Sequence, residues 1–293
     1  MGTCSSNTIR ESLNINEEKR IFEQMNKSIC KIIGNQGSGF ICMIPYPNKF
    51  NLLPVLITCN QVLEDKDVVL GKKIKLIFEN EEKLIEIDDN RKVYKSIKNE
   101  YNTTIIEIKN TDGFDFKNFL QVEEDIFNDN LNEKYKNKKI YIIHYPKDKN
   151  AEYSVNSIKN ISDNKINHSC SIDEGSLGSP ILCLDTFKVI GIHQGSKNND
   201  YNYGTVIKYP IEGFIKEYSI NNEILLKLFV WDKDENKEIY FLDNGSFMEE
   251  DEKEPHINLT ELNENNTKIY INNIEHKYCK FLYLIKRESM KLK

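Results

Sequence analysis

Residues 168–183 read HSCSIDEGSLGSPILC, and inside them the turn Gly175-Ser176-Leu177-Gly178-Ser179-Pro180 runs straight into an apolar segment. Glycine, serine and proline at this density mark a tight turn, because glycine admits backbone angles that other residues avoid and proline fixes its own φ. The segment that follows, Ile181-Leu182-Cys183-Leu184, carries no charge and is bounded by turn residues, the pattern of a short strand. The arrangement raises the question of what a turn with leucine at its centre is built to present.

Apolar runs of strand length recur on either side of it. From residue 28 onward SICKII, GFICMI, LLPVLIT, KIKLIF, KLIEI, TTIIEIK, KKIYIIHY, SVNSI, KVIGIH and YGTVIKY alternate with Gly, Asn, Asp or Pro. They are rich in the β-branched and aromatic residues that suit a pleated surface. Helical periodicity is weak apart from turns around 20–27 and 61–65, which argues against a parallel α/β sheet, and no internal repeat suggests a propeller or solenoid. The fold class is all-β. Around 214–222 the chain turns more polar, and beyond it further strand-like runs, with an acidic insertion at 247–256, suggest a smaller β-rich module. The organisation read from this is a tether over 1–20, a main β domain over 21–218 and a C-terminal module over 219–293.

Across 293 residues, 39% hydrophobic and 29% charged, the composition is that of an ordinary globular protein. A net charge of −6 argues against nucleic acid, whose phosphates need basic surface to displace their counterions, and an acidic membrane would also repel the chain as a whole. The seven cysteines, at 4, 30, 42, 59, 170, 183 and 279, include no C-x-x-C pair and do not cluster with the five histidines. That spacing suits neither a zinc site nor a disulfide scaffold, so no metal or cofactor is expected and the thiols are read as free and buried in a reducing compartment. No uncharged apolar run is long enough to span a bilayer as a helix.

The first residues, MGTCSS, place Gly2 after a removable Met and Ser6 at the position that N-myristoylation favours. One myristoyl chain holds a protein to a membrane only marginally. With no basic cluster in this segment, palmitoylation of Cys4 is the expected second signal, and the cytoplasmic face of a membrane the expected location.

Three segments taken together, GSGFICMIPYPNKFNLLPVLITCNQVL (37–63), YNTTIIEIK (101–109) and HSCSIDEGSLGSPILC (168–183), resemble the chymotrypsin/trypsin-like peptidases. The resemblance covers residues 28 to about 215 and implies a trypsin-like double β-barrel with histidine, aspartate and serine positions in that chain order. In this sequence those positions hold Gln61 in ITCNQVL, Asn102 in YNTTIIEI and Leu177 in GSLGSP, 41 and 75 residues apart. A carboxamide is not a base near neutral pH, asparagine brings no charge to stabilise an imidazolium, and leucine has no attacking atom. The resemblance therefore implies a scaffold without its triad, and no catalytic residue is assigned.

Binding geometry is what such a scaffold retains. By the same resemblance the backbone N–H groups of Gly175 and Leu177 are donors for a carbonyl or carboxylate oxygen. KVIGIHQGS (188–196) resembles the strand of viral chymotrypsin-like cysteine proteases whose histidine sits in the S1 pocket, which makes His193 a candidate recognition residue; a structural histidine is the competing reading. His144 and His168 are read as structural, and His256 and His276 lie outside this domain. The expected function is that of a membrane-anchored pseudoprotease binding a peptide or protein partner in the old cleft. Two alternatives stand beside it: a peptidase or hydrolase with a displaced nucleophile (Ser176, Ser179 or Cys59), and an interaction module acting through the C-terminal unit.

Overall fold

The computed structural model describes residues 13–219 except 35, 36, 48, 80, 98–100, 148 and 198–200, together with six short strands between 224 and 292. The chain divides into two units, Met1–Ser219 and Ile220–Lys293.

The first unit opens with α1 (Ile15–Lys27), which begins earlier than the helical turns expected around 20–27. Asn14 caps it, its Oδ1 accepting the N–H groups of Asn16 and Glu17 while Glu17 reaches back to the Asn14 N–H, a reciprocal pair that satisfies amides the helix cannot. Ile21 and Met25 bury their side chains in the core.

Eight strands follow: β1 (Ile29–Ile32), β2 (Gly37–Pro45), β3 (Leu52–Cys59), β4 (Lys73–Ile77), β5 (Glu82–Glu86), β6 (Val93–Lys95), β7 (Thr103–Glu107) and β8 (Leu120–Gln121). They pair in the order β5-β4-β1-β2-β3-β7-β6, antiparallel throughout, with β8 added parallel to β2. A short helix, α2 (Leu131–Tyr135), leads into β9 (Lys139–His144), β10 (Glu152–Ser162), β11 (Lys165–His168), β12 (Pro180–Cys183), β13 (Val189–Lys197) and β14 (Tyr201–Val206), which close into a barrel in the order β10-β11-β14-β13-β12-β9. This is the all-β, trypsin-like double-barrel architecture, with one difference. The first lobe is an open half-barrel whose outermost strands, β5 and β6, do not pair with each other. Both are blunt edges: β6 has three residues, and β5 presents Glu82 and Glu86 to solvent, a charged rim that discourages further strand addition.

The β-branched runs fill the interiors. Ile41, Leu56, Ile57, Leu76 and Ile105 of the first lobe and Ile140, Ile142, Ile181 and Ile192 of the second are almost wholly buried, each contributing about 1.5–3 kcal/mol relative to exposure. After β14 the chain forms α3 (Lys208–Ser219), which crosses back to the first lobe; the stretch read as a boundary over 214–222 is helical as far as Ser219. Tyr218 Oη donates to the Val93 carbonyl (2.9 Å) and accepts its N–H (2.8 Å), and Phe214 packs edge-on against Tyr46 and Tyr94. The helix that ends the first unit thus straps the two lobes.

In the second unit, β15 (Ile224–Leu226), β17 (Ile269–Ile271), β18 (Ile274–His276) and β20 (Met290–Leu292) form an antiparallel sheet in the order β15-β20-β17-β18, and β16 (Glu238–Tyr240) pairs with β19 (Phe281–Tyr283).

Candidate functional site

The segments carrying Gln61, Asn102 and Leu177 meet at the C-terminal end of β3. Gln61 lies exposed in the turn directly after that strand. Asn102 immediately precedes β7, and its carbonyl accepts the N–H of Asn60 (3.2 Å). Its φ of +48° is left-handed, a conformation asparagine and aspartate tolerate better than other side chains. Asn60 completes the junction with its side chain, donating to the Ser96 carbonyl (3.1 Å) and accepting from Thr104 Oγ1 (2.8 Å).

Leu177 arrives from the second lobe, half-buried against the core. Two glycines let its turn approach so closely. A Cβ on Gly178 would stand 2.3 Å from both the Ser38 carbonyl and Thr58 Oγ1, and its φ of +85° is left-handed. At Gly175, φ +99°, a Cβ would meet the Tyr145 carbonyl at 2.7 Å. Ser38 on β2 then clamps the turn from the first lobe. Its N–H donates to the Leu177 carbonyl (2.9 Å), and its hydroxyl donates to the Gly175 carbonyl (3.1 Å) while accepting the Tyr145 N–H (2.9 Å). The carbonyls of Gly175 and Leu177 are therefore engaged. Among the described residues no acceptor takes the N–H of either, so both amides remain available to an incoming oxygen.

A second tie runs from β13. Gln194 donates through Nε2 to the Tyr101 carbonyl, Thr205 Oγ1 donates to the same oxygen (3.3 Å), and Tyr101 stacks on Tyr209 at the start of α3. The second lobe thereby holds the backbone that presents Asn102.

His193 neighbours the turn through its main chain: its carbonyl accepts the Gly178 N–H (3.0 Å), and its N–H donates to Ser179 (2.8 Å). Its side chain is only 2% exposed and faces His168, Nδ1 to Nε2 at 3.4 Å with the rings edge to face. Burial pushes the His168 imidazole down to about 4 and holds His193 well below its ordinary value, with the neighbouring imidazoles adding to the effect. Both rings are neutral at pH 7, one nitrogen donating and the other accepting. The contact with His168 is the one side-chain hydrogen bond of His193 among the described residues. His144 is buried as well, with neither ring nitrogen hydrogen-bonded among the described residues.

The displaced nucleophiles fare poorly on geometry. Ser179 is fully buried and Ser176 is buried; among the described residues the Ser179 hydroxyl has no partner and no imidazole is hydrogen-bonded to either. Cys59 donates its thiol to the His193 carbonyl (3.4 Å), and burial pushes that thiol up to about 12, so it is not a thiolate at neutral pH. No group of three or more His, Cys, Asp or Glu side chains placed to hold a metal ion occurs among the described residues, and the described thiols at 30, 42, 59, 170 and 183 are free and buried. Gly2 and Cys4 lie outside the described residues.

No family model and no curated protein matches the chain. Among solved structures it is similar to a serine endoprotease from Yersinia pestis, at TM-score 0.49 and 11% identity, over 71% of this chain and 69% of that one. A second is Rv3671c from M. tuberculosis H37Rv in an inactive mutant form, at TM-score 0.46 and 12% identity over 68% and 89%. The likeness is one of fold.

Sequence reasoning missed three participants at this junction. Ser38 reads as an ordinary strand residue in GSGF, Gln194 as a neighbour of His193, and His168 as a structural residue with no partner in view. Each owes its role to a contact spanning between 25 and 137 residues of chain.

Proposed function

We propose that this protein is a membrane-tethered pseudoprotease that binds an extended peptide or a protein segment along the cleft between its lobes and does not cleave it. The observation that carries the reading is the identity of the side chains where the three segments converge: Gln61, Asn102 and Leu177 offer a carboxamide, a carboxamide and an alkyl group. Proton abstraction from a nucleophile needs a base within hydrogen-bond reach, and no hydroxyl or thiol beside the turn has one among the described residues. The free amides of Gly175 and Leu177 support the binding half of the reading, since amide donors act on a bound carbonyl whatever side chain they carry. The N-terminal MGTCSS supports a tether at Gly2 and Cys4 on the cytoplasmic face of a membrane.

The test is incubation of the purified full chain with a fluorophosphonate probe and a diverse peptide library. Neither labelling nor cleavage is expected; stoichiometric labelling of a serine, or cleavage at a defined sequence, sinks the proposal. Metabolic labelling with an alkynyl myristate analogue, set against Gly2→Ala, examines the tether separately.

A further inference from the structure

On α1, away from the junction of the lobes, lies a cavity of about 250 Å³ lined by polar groups. Arg20, Lys27, Lys117 and Lys188 stand around it with Glu23 as the lone carboxylate of the lining. These four cations come from three places in the chain: α1, the loop before β8, and the turn before β13. No stretch of sequence holds them as a cluster. Arg20 pairs with Glu23 (3.4 Å) and Lys188 with Glu124 (3.2 Å), whereas Lys27 and Lys117 have no carboxylate partner among the described residues. Thr186, Gln24 and the backbone around Asn118 complete the wall.

In a chain of net charge −6, two unpaired and two singly paired cations around one recess are a local reversal of sign that favours an anion there. We propose that this cavity receives the phosphate-bearing headgroup of an acidic phospholipid, and that it is the basic element that the N-terminal segment lacks.

One further feature favours a bilayer as the source of that phosphate. The chain from Gly2 to Asn14 is thirteen residues and reaches at most about 45 Å, while Arg20 lies about 8 Å along the axis from the start of α1, so a bilayer gripped at Gly2 is within reach of the cavity. This geometry rests on the tether proposed above, but the headgroup site does not require the acyl chain in order to bind.

The experiment uses the full chain without acylation, made in bacteria, and measures sedimentation with vesicles of phosphatidylcholine alone or with a few per cent of a phosphatidylinositol phosphate. Binding to the acidic vesicles only is expected, and it should fall steeply as salt rises. A charge near an anionic bilayer is worth roughly a factor of five in partitioning, so Lys27→Ala with Lys117→Ala should lower it about 25-fold. Lys72→Ala with Lys73→Ala, outside the cavity, should leave it unchanged. Thermal unfolding of each variant by circular dichroism shows that the fold is intact.

Equal sedimentation with neutral and acidic vesicles, or loss that is the same for both lysine pairs, overturns the assignment. So does inorganic phosphate, or a glutamate-rich peptide, that binds through Lys27 and Lys117 while vesicles do not. The alkynyl myristate experiment separates the two proposals: an unlabelled Gly2 removes the tether and leaves vesicle binding to stand, and a labelled Gly2 leaves the tether standing where the lysine pair has no effect.

Discussion

Lowering the pH from 7 to 5 should destabilise the first unit, and the buried imidazoles set the size of the effect. His168 titrates near 4 in the folded protein and at its ordinary value of 6.5 when unfolded. Below pH 6.5 the unfolded chain therefore takes up a proton that the native one refuses. Stability conferred by the neutral ring is complete above 6.5, is lost as pH falls through the window from 6.5 to about 4, and levels off below it. Across the whole window the loss from His168 is about 3 kcal/mol, and between pH 7 and 5 about 2 kcal/mol. His193, its pKa held well down by burial and by His168, acts in the same direction; so does His144. The pair shares one hydrogen bond, so their losses are coupled rather than additive. Glu217, whose carboxyl is raised by burial, opposes the trend, but only near pH 4.5 and weakly, being mostly exposed. Urea unfolding of the full chain followed by tyrosine fluorescence, the sole tryptophan lying in the second unit, should show the midpoint of the first unit falling by about 1 M between pH 7 and 5. His168→Gln should remove much of that fall. A wild-type midpoint steady to about 0.2 M, or a variant as pH-sensitive as the wild type, would refute the account of a buried neutral pair.

Two other outcomes follow from the junction of the lobes. Gly178→Ala drives a methyl group into the Ser38 carbonyl and Thr58 Oγ1 at a left-handed φ and should cost about 3 kcal/mol or more, whereas Gly71→Ala, also left-handed but with nothing within 4 Å, should cost only about 1 kcal/mol; thermal melts of the two variants make the comparison. Leu177→Ser alone should remain unlabelled by fluorophosphonate, because Gln61 takes no proton, while Leu177→Ser with Gln61→His and Asn102→Asp should label at a measurable rate, an aspartate fitting the +48° backbone of Asn102 as readily as asparagine does.

Most strands could be read from the chain because each is a short run of Ile, Val, Leu or Tyr closed off by Gly, Asn, Asp or Pro, and burial on one or both faces follows from that pattern. The helices were harder. The Asn14–Glu17 pair that opens α1 is a legible capping signature, yet the strong polarity of NEEKR hid a helix whose buried face is only Ile21, Gln24 and Met25. In α3 the proline at the third position and a glycine at 213 argue for a break, but Pro210 sits in the first turn, where its missing N–H costs nothing, and Gly213 makes room for the Tyr94 ring. At the site, Gln61, Asn102 and Leu177 were legible because a resemblance supplied their spacing. The His168–His193 contact was not: it depends on the register of β11 and β13, each against β14, and register follows from which faces are buried across the whole barrel. The basic cavity escaped for the same reason, its cations being dispersed over 168 residues of chain, from Arg20 to Lys188.

The Ser38 clamp bears on kinetics. With the carbonyls of Gly175 and Leu177 tied down by Ser38, an arriving peptide has little chain to order at this point. The entropy normally lost in organising a recognition loop is spent during folding instead. Association should then be governed by encounter and orientation, and the lifetime of the complex by what the peptide's own side chains find on either side.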